Sequence, residues 1–354
     1  MDVDRRIELI MSDPAEEVIT EGDLRDILET KARPKHYIGL EISGMPHIGH
    51  ILVAGKKVND LSEAGVDTQI FLADWHTVAN NKLGGDWDKI TEAAKFYRRL
   101  FNFFCPKAKI VLGSDLYKNN DDYWRLIIQM ARKTTMARAT RTLLIEGRSE
   151  KDTLHVSQYI YPIMQAADIR ALEADIPHAG VDQRRVHVLA KELFRDLGLG
   201  KIAPLHHHLL ASLAEPPKVS ENAEKEEIVA AMKMSKSKRG SAISILAKKA
   251  DIESILSGAW SPAMMVKENP VLEICRYVIF PISKKMKVER DAKYGGDAEY
   301  YSYKEIEAAY AEGKLHPADL KSSVAKELNK IIEPIRNAFG SEEESLLGLF
   351  GLKN

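Results

Sequence analysis

Along the chain the apolar positions switch between two spacings, and each switch marks an element. Residues 36–42 (HYIGLEI) are β-rich and predict a strand; residues 46–61 then carry apolar positions three and four apart, the period of a helix. The pattern repeats. Residues 67–75 (DTQIFLADW) read as a strand and 90–104 as an amphipathic helix, then 108–112 (AKIVL) as a short strand and 121–145 as one long helix. Further on, 157–172 reads as helix, 175–179 as strand and 182–197 as helix. Strands alternating with helices predict an α/β fold built on a doubly wound parallel sheet. Such sheets bind ligands at the carboxyl ends of their strands, near the point where strand order reverses.

The flanks read differently. Residues 1–34 predict a leading helical segment that stops at the Arg33-Pro34 break. Residues 213–231 turn charged and irregular, the composition of an exposed connection. Beyond about residue 246 helical spacing dominates, interrupted by Pro262, Pro270, Pro281 and a turn at Gly295-Gly296. The expected organisation is therefore a segment 1–34, a sheet domain 35–245, and a smaller all-helical C-terminal domain 246–354.

Composition narrows the class of protein without choosing a function. Of 354 residues, 45% are hydrophobic and 29% charged, and no apolar run is long enough to span a bilayer. Residues 1–17 are charged and lack the apolar core of a signal peptide, so the cytoplasm is the expected address. Cys105 and Cys275 form neither a disulfide framework nor a CxxC metal site. With 51 basic against 52 acidic residues the net charge is −1, which argues against nonspecific coating of nucleic acid. Local basic patches remain compatible with it.

Two short motifs carry the chemistry. Pro46-His47-Ile48-Gly49-His50 falls after the first predicted strand, at the start of a helix. Imidazoles beside the free N–H groups of a helix N-terminus make a donor-rich cradle for phosphates, and Gly49 lets an adenine ring approach the backbone. Alone, two histidines three apart are equally an ordinary surface or metal-type pair. Far downstream, past the last predicted strand, residues 232–240 hold Lys233-Met234-Ser235-Lys236-Ser237, a basic, serine-rich loop. Lys233 and Lys236 can hold phosphates as charge moves onto departing pyrophosphate. Taken together, HIGH and KMSKS resemble the paired signatures of class I aminoacyl-tRNA synthetases, which have a Rossmann-like catalytic domain.

A third element resembles one family within that class. Tyr161, Gln165 and Asp168 in YPIMQAAD share one helical face. Such a polar stripe is ordinarily a wet surface, but this stretch closely resembles an element of archaeal and eukaryotic tyrosyl-tRNA synthetases. Tyr37 in HYIGLEISG, Leu72-Ala73-Asp74 with His76, Gly180-Val181-Asp182-Gln183 and the 316–336 segment resemble the same family. The likeness runs from about residue 35 to 340. It implies that Tyr37 and Asp168 hydrogen-bond the phenolic hydroxyl of L-tyrosine, and that Tyr161, Gln165 and Gln183 hold its α-amino group. It further implies ATP contacts from His47, Gly49, His50, Asp182, Lys233, Ser235 and Lys236, with Asp182 accepting from the ribose. Catalytic roles fall to His47, His50, Lys233 and Lys236. Glu41 is either a substrate-facing or a structural residue.

The same resemblance implies tRNA(Tyr) as a partner, a homodimer, and Mg2+ arriving with ATP rather than at a dedicated protein metal site. Tyr294, His316 and Asp319 match positions that handle the first anticodon base, by stacking and by a carboxylate on a base edge. Arg132, Lys133, Arg138, Arg141 and Arg148 form a basic cluster on the predicted long helix; it is either a solvated face or a contact for acceptor-stem phosphates, chiefly through Arg132 and Lys133. His206-His207-His208 points in alternating directions and does not predict zinc. Two other functions fit the motifs: a tryptophanyl-tRNA synthetase, and a synthetase-like protein that binds RNA without catalysis.

Overall fold

The computed structural model describes residues 1–143, 155–216, 234 and 241–352. Its centre is a six-stranded sheet. Four parallel strands come from the segments with the strongest apolar β pattern: β2 (Lys35–Leu40), β3 (Asp67–Leu72), β4 (Lys109–Leu112) and β5 (Ile176–Gly180). Both faces are covered by helices, so β3 buries four of its six side chains and β5 all five. Two strands of this sheet were not expected from the sequence: β1 (Ala15–Val18) and β6 (Leu205–His207). The order is β1-β6-β5-β2-β3-β4, with β1 antiparallel to β6 and every other pairing parallel.

The strand order reverses between β2 and β5. The chain runs outward from β2 through β3 to β4, then returns to place β5 on the other side of β2. Segments leaving the carboxyl ends of β2 and β5 therefore face each other across the sheet's natural ligand crevice.

The leading segment is not helical throughout. Helices Val3–Met11 and Glu21–Thr30 flank β1, which joins the main sheet at its edge. Buried Lys57 fixes this segment to the sheet domain, its Nζ donating to the backbone oxygens of Ile10 at 3.1 Å and Ser12 at 2.7 Å. The predicted helix 121–145 is two helices, Asp121–Lys133 and Met136–Leu143, broken where Thr135 Oγ1 accepts from the Arg138 N–H. Beyond 246 the chain is helical except for a small antiparallel hairpin, β7 (Met286–Val288) with β8 (Ala298–Tyr300). Gly295 and Gly296, both at positive φ, lie in the connection between those two strands. One apolar core runs from β2 and helix Trp87–Phe104 into the long helix Pro317–Phe339, where Phe96 meets Phe339 edge-on at 6.0 Å.

Candidate active site

The HIGH segment leaves β2 and is pinned on several sides. Ile42 N–H donates to Thr77 Oγ1 at 2.9 Å, and the buried Tyr97 hydroxyl donates to Gly44 O at 2.6 Å. The helix that follows begins as a π-wound stretch, Gly49–Gly55, before the α-helical turns of Lys56–Glu63. π-Turns recur at functional sites because they offset side chains from the regular helical face. The His47 and His50 rings lie 3.9 Å apart, both half-buried. Gly49 N–H donates to His47 Nδ1 at 3.1 Å, and a Cβ on Gly49 would stand 2.9 Å from His47 Cε1. A side chain at Gly49 would thus force the His47 ring to shift, whatever ring a ligand brings.

Lys233, Ser235 and Lys236 lie outside the described residues. The described residues around them make the following contacts. Met234 N–H donates to Leu210 O at 2.7 Å, and Leu213 N–H to Ser241 O at 3.3 Å. Immediately downstream, Ile48 N–H donates to Ile243 O at 3.1 Å and Ile245 N–H to Pro46 O at 3.0 Å, with His47 and Ser244 bridged antiparallel. Residues 243–245 therefore meet the HIGH segment through an isolated antiparallel bridge.

A second constellation fills the space between β2, β3 and helix Val156–Ala171. The polar stripe of that helix faces inward. Asp168 is wholly buried and Gln165 is 8% exposed, among Ile163, Met164 and Ile169, while Tyr161 is half-buried with its ring edge-on to His76 at 4.6 Å. Asp168 Oδ1 accepts from the Tyr117 hydroxyl at 2.9 Å and the Tyr123 hydroxyl at 2.8 Å. Its Oδ2 accepts no hydrogen bond among the described residues, and His76 Nε2 stands 3.4 Å away. Gln165 Oε1 is likewise buried and unpaired among them. Two orphaned acceptors three residues apart on one helix cost ~1–3 kcal/mol each unless a ligand meets them.

Electrostatics follow from burial. The Asp168 carboxyl is pushed up to about 8 by desolvation, against the two tyrosine hydrogen bonds and with a smaller push from the Asp74 charge. Tyr37, 2% exposed on β2, has its phenol pushed well up by burial and then by the Asp168 charge, so the two side chains share one environment. His76 falls to about 3 by burial and is neutral. Among the described residues no lysine or arginine is paired with Asp168.

Tyr117 and Tyr123 are the residues missed by sequence reasoning. Nothing in their local pattern announces them. Asp74 and Gly113 set up their approach: Asp74 accepts from Ser114 N–H at 3.1 Å, and a side chain at Gly113 would run into the Asp74 carboxylate. Of the other expected residues, Asp182 is buried and Gln183 half-buried in the turn Val181–Gln183 that leaves β5 across from HIGH. Glu41 accepts from Asn80 Nδ2 at 2.5 Å.

The expected RNA contacts lie apart from both constellations. Arg132 and Lys133 are exposed in the last turn of helix Asp121–Lys133; Arg138 is paired with Glu192 at 2.5 Å, and Arg148 lies outside the described residues. Tyr294 closes the turn Ala292–Tyr294 before the hairpin's glycines. His316 caps helix Pro317–Phe339, its Nδ1 accepting from Ala318 N–H at 3.2 Å, and Asp319 lies in the first turn.

Comparison with known proteins gives this geometry a family. The model of the tRNA synthetases class I (W and Y) matches residues 29–333. The tyrosine–tRNA ligase of Thermococcus kodakarensis is 41% identical over 366 residues, spanning 98% of this chain and 97% of that protein. That of Saccharolobus solfataricus is 42% identical over 350 residues, 97% of this chain and 95% of its own. Among solved structures, the Pyrococcus horikoshii tyrosyl-tRNA synthetase complexed with L-tyrosine matches with a TM-score of 0.91 at 41% identity, over 99% of each chain. The Plasmodium falciparum tryptophanyl-tRNA synthetase shares the fold, with a TM-score of 0.67 at 15% identity over 99% of this chain and 90% of that one. The chain belongs to the class I tRNA synthetases for tryptophan and tyrosine. Within them it falls with the tyrosyl-tRNA synthetases, including archaeal ones, and it is an enzyme.

Proposed function

We propose that the chain activates L-tyrosine with ATP, releasing pyrophosphate, and then transfers the tyrosyl group to the 3′ end of tRNA(Tyr). The observation that carries the amino acid is the orphaned pair on helix Val156–Ala171. Asp168 Oδ2 accepts the substrate's phenolic O–H, with Tyr37 beside it, and Gln165 Oε1 accepts from its ammonium group together with Tyr161 and Gln183. Phenylalanine would leave the Asp168 acceptor buried and unpaired, which is what makes the pocket selective.

In the first step the tyrosine carboxylate attacks the α-phosphorus of ATP, the bond to the β-phosphate breaks, and pyrophosphate leaves. Catalysis is positioning and charge stabilisation: His47 and His50 at the phosphates, Lys233 and Lys236 on the leaving group, Asp182 on the ribose. No side chain needs to become covalently attached. Among the described residues no cluster of three or more His, Cys, Asp or Glu side chains is arranged to hold a metal. When ATP is bound, Mg2+ arriving with it would supply charge neutralisation at its phosphates. In the second step the terminal ribose hydroxyl of tRNA attacks the adenylate carbonyl and AMP leaves.

On the RNA side, Tyr294 stacks the first anticodon base, with His316 and Asp319 at its edge, and Arg132 and Lys133 meet acceptor-stem phosphates. The working form is a homodimer. Ile128, Met136 and Val156, 61%, 62% and 76% exposed on helices that pack on one another, are apolar surface that a second copy would cover. No helix among the described residues is long and apolar enough to cross a membrane, and we place the enzyme in the cytoplasm.

Amino-acid-dependent ATP–pyrophosphate exchange tests the assignment. Exchange is expected with tyrosine and at background with phenylalanine or tryptophan. Exchange driven by tryptophan alone would move the chain to the tryptophanyl branch, and tRNA binding without any exchange would favour an inactive RNA-binding protein.

A further inference from the structure

The turn that carries Asp182 and Gln183 is gripped by the leading segment. Arg184, directly after that turn, opens helix Arg184–Leu197, and its backbone N–H donates to Val181 O. Its side chain reaches Glu17 on β1, with Nε 2.9 Å from Oε1 and 3.2 Å from Oε2. Glu17 is in register with His206 on β6, whose Nδ1 stands 3.1 Å from Glu17 Oε1. The other nitrogen of that ring, Nε2, lies 3.0 Å from Nδ1 of His187, three residues beyond Arg184 on the same helix. Both histidines are wholly buried. The four side chains close a circuit that starts and ends on the first turn of one helix.

Residues three apart on a helix lie on one side of it, so Arg184 and His187 fasten that turn to the β1–β6 edge at two points. The peptide unit holds consecutive Cα atoms about 3.8 Å apart, so a shift of Arg184 is passed on to Gln183 and Asp182. Glu17 is ionised: His206 first, and then the Arg184 charge, hold its carboxyl below the ordinary range against the opposing push of burial. The side chains of Arg184 and Glu17 are 39% and 31% exposed, and water screens a pair of that kind enough that it adds little to stability. What the pair fixes is direction.

We propose that Glu17 is a positioning residue for both small substrates. Through Arg184 it sets the place of the Val181–Gln183 turn, and with it the reach of Asp182 to the ribose and of Gln183 to the amino group of tyrosine. The leading segment is then part of the active-site machinery as well as a brace for the sheet edge. This rests on Asp182 and Gln183 having those two roles, as argued above.

Tyrosine-dependent ATP–pyrophosphate exchange on the full chain tests it, read as KM against kcat. Glu17→Ala is expected to raise the KM for ATP and the KM for tyrosine about fivefold each. Arg184→Ala is expected to do the same from the other side, and it carries the comparison if Glu17→Ala does not fold. The double variant should be no worse than either single one, because both remove one link. Glu17→Gln keeps an acceptor for Arg184 Nε and is expected to recover most of the loss. KM values within about twofold of wild type, or single effects that multiply in the double variant, overturn the proposal. So does a lower kcat at unchanged KM values, the mark of a partly unfolded enzyme. Amide hydrogen–deuterium exchange gives a readout without substrates. The Arg184 amide is expected to exchange about fivefold faster in the alanine variants, with the amides of β2 and β3 at wild-type rates. An unchanged Arg184 amide, or a uniform acceleration across the sheet, sinks the idea. Absence of pyrophosphate exchange with tyrosine in the wild-type chain would refute the functional reading instead, with the Arg184 amide still deciding whether Glu17 holds the turn.

Discussion

Tyr123 donates its hydroxyl to Asp168 Oδ1 at 2.8 Å, and Tyr117, stacked on it at 4.5 Å between ring centres, donates to the same oxygen at 2.9 Å. With Oδ1 occupied twice, the carboxyl is held against rotation and Oδ2 alone is left for a substrate hydroxyl. The two tyrosines therefore choose which lone pairs read the phenol. Tyr123→Phe is expected to raise the KM for tyrosine up to about tenfold, since a hydrogen bond to a neutral carboxyl is worth ~0.5–1.5 kcal/mol. Selectivity over phenylalanine should narrow in step. Exchange kinetics with both amino acids check this, and a tyrosine KM within about twofold of wild type would deny Tyr123 the role.

Asp168 also gives stability a pH dependence. Its carboxyl, pushed up to about 8 in the fold by burial, titrates near 3.9 in an unfolded chain. Between those values the folded state holds a proton that the unfolded state has released. The folded carboxyl is thus penalised increasingly as pH rises through that window, and stability falls. Asp168→Asn removes the titration while keeping the shape. Relative to wild type, the variant's melting temperature is expected to climb from pH 5 to pH 8, with a slope of at most ~1.4 kcal/mol per pH unit, while tyrosine-dependent exchange collapses. A pH-independent difference between the two proteins would contradict the shift.

The parallel strands β2, β3, β4 and β5 were legible because both their faces are buried, and burial writes itself as apolar runs. The two missed strands carry no such mark. β1 is Ala-Glu-Glu-Val at the sheet edge, and β6 is Leu-His-His, whose buried histidines are satisfied by partners on other strands and a helix. The break in the 121–145 helix was hidden for a related reason: Thr135 ends it by capping, without the glycine or proline that would show in the sequence. At the site, Asp168 and Gln165 were singled out because they share a helix face with Tyr161 in a stretch that resembles the tyrosyl-tRNA synthetases. Tyr117 and Tyr123 could not, because their only distinguishing partner lies 45 or more residues away in the chain.

Gly49 offers a test of the nucleotide end. A methyl there would stand 2.9 Å from His47 Cε1, closer than carbon atoms tolerate, so the His47 ring must swing away from Gly49 N–H and from His50. Gly49→Ala is expected to slow single-turnover adenylate formation at least about tenfold, as for loss of one aligned donor at a phosphate, with tyrosine affinity unchanged. An adenylate rate equal to wild type would show that His47 does not depend on this arrangement.

His208 joins three parts of the chain and supplies the last prediction. Its Nδ1 lies 2.6 Å from Glu16 in β1, its Nε2 3.2 Å from Glu273 in helix Pro270–Ile274, and its ring stacks on Tyr277 at 4.0 Å. Close by, Arg276 pairs with Asp13 at 3.0 Å. Burial alone would lower the imidazole; hydrogen bonds and charge from Glu16 and Glu273 overcome it and raise the group to about 9. In an unfolded chain the group titrates near 6.5. Its folded value is raised, so its contribution is fully present below about pH 6.5 and is lost as pH rises through about 9. His208→Asn, too short to reach both carboxylates, is expected to lower the melting temperature at pH 6. The gap to wild type should close by pH 10, where the wild-type cation is gone as well. Because the clamp ties β1 and β6 to the C-terminal helices, loss of it is expected to show first as hydrogen exchange in helix Pro270–Ile274 rather than in β2 or β3. A deficit that persists undiminished at pH 10 would mean that stacking on Tyr277, and not the charge, holds the joint.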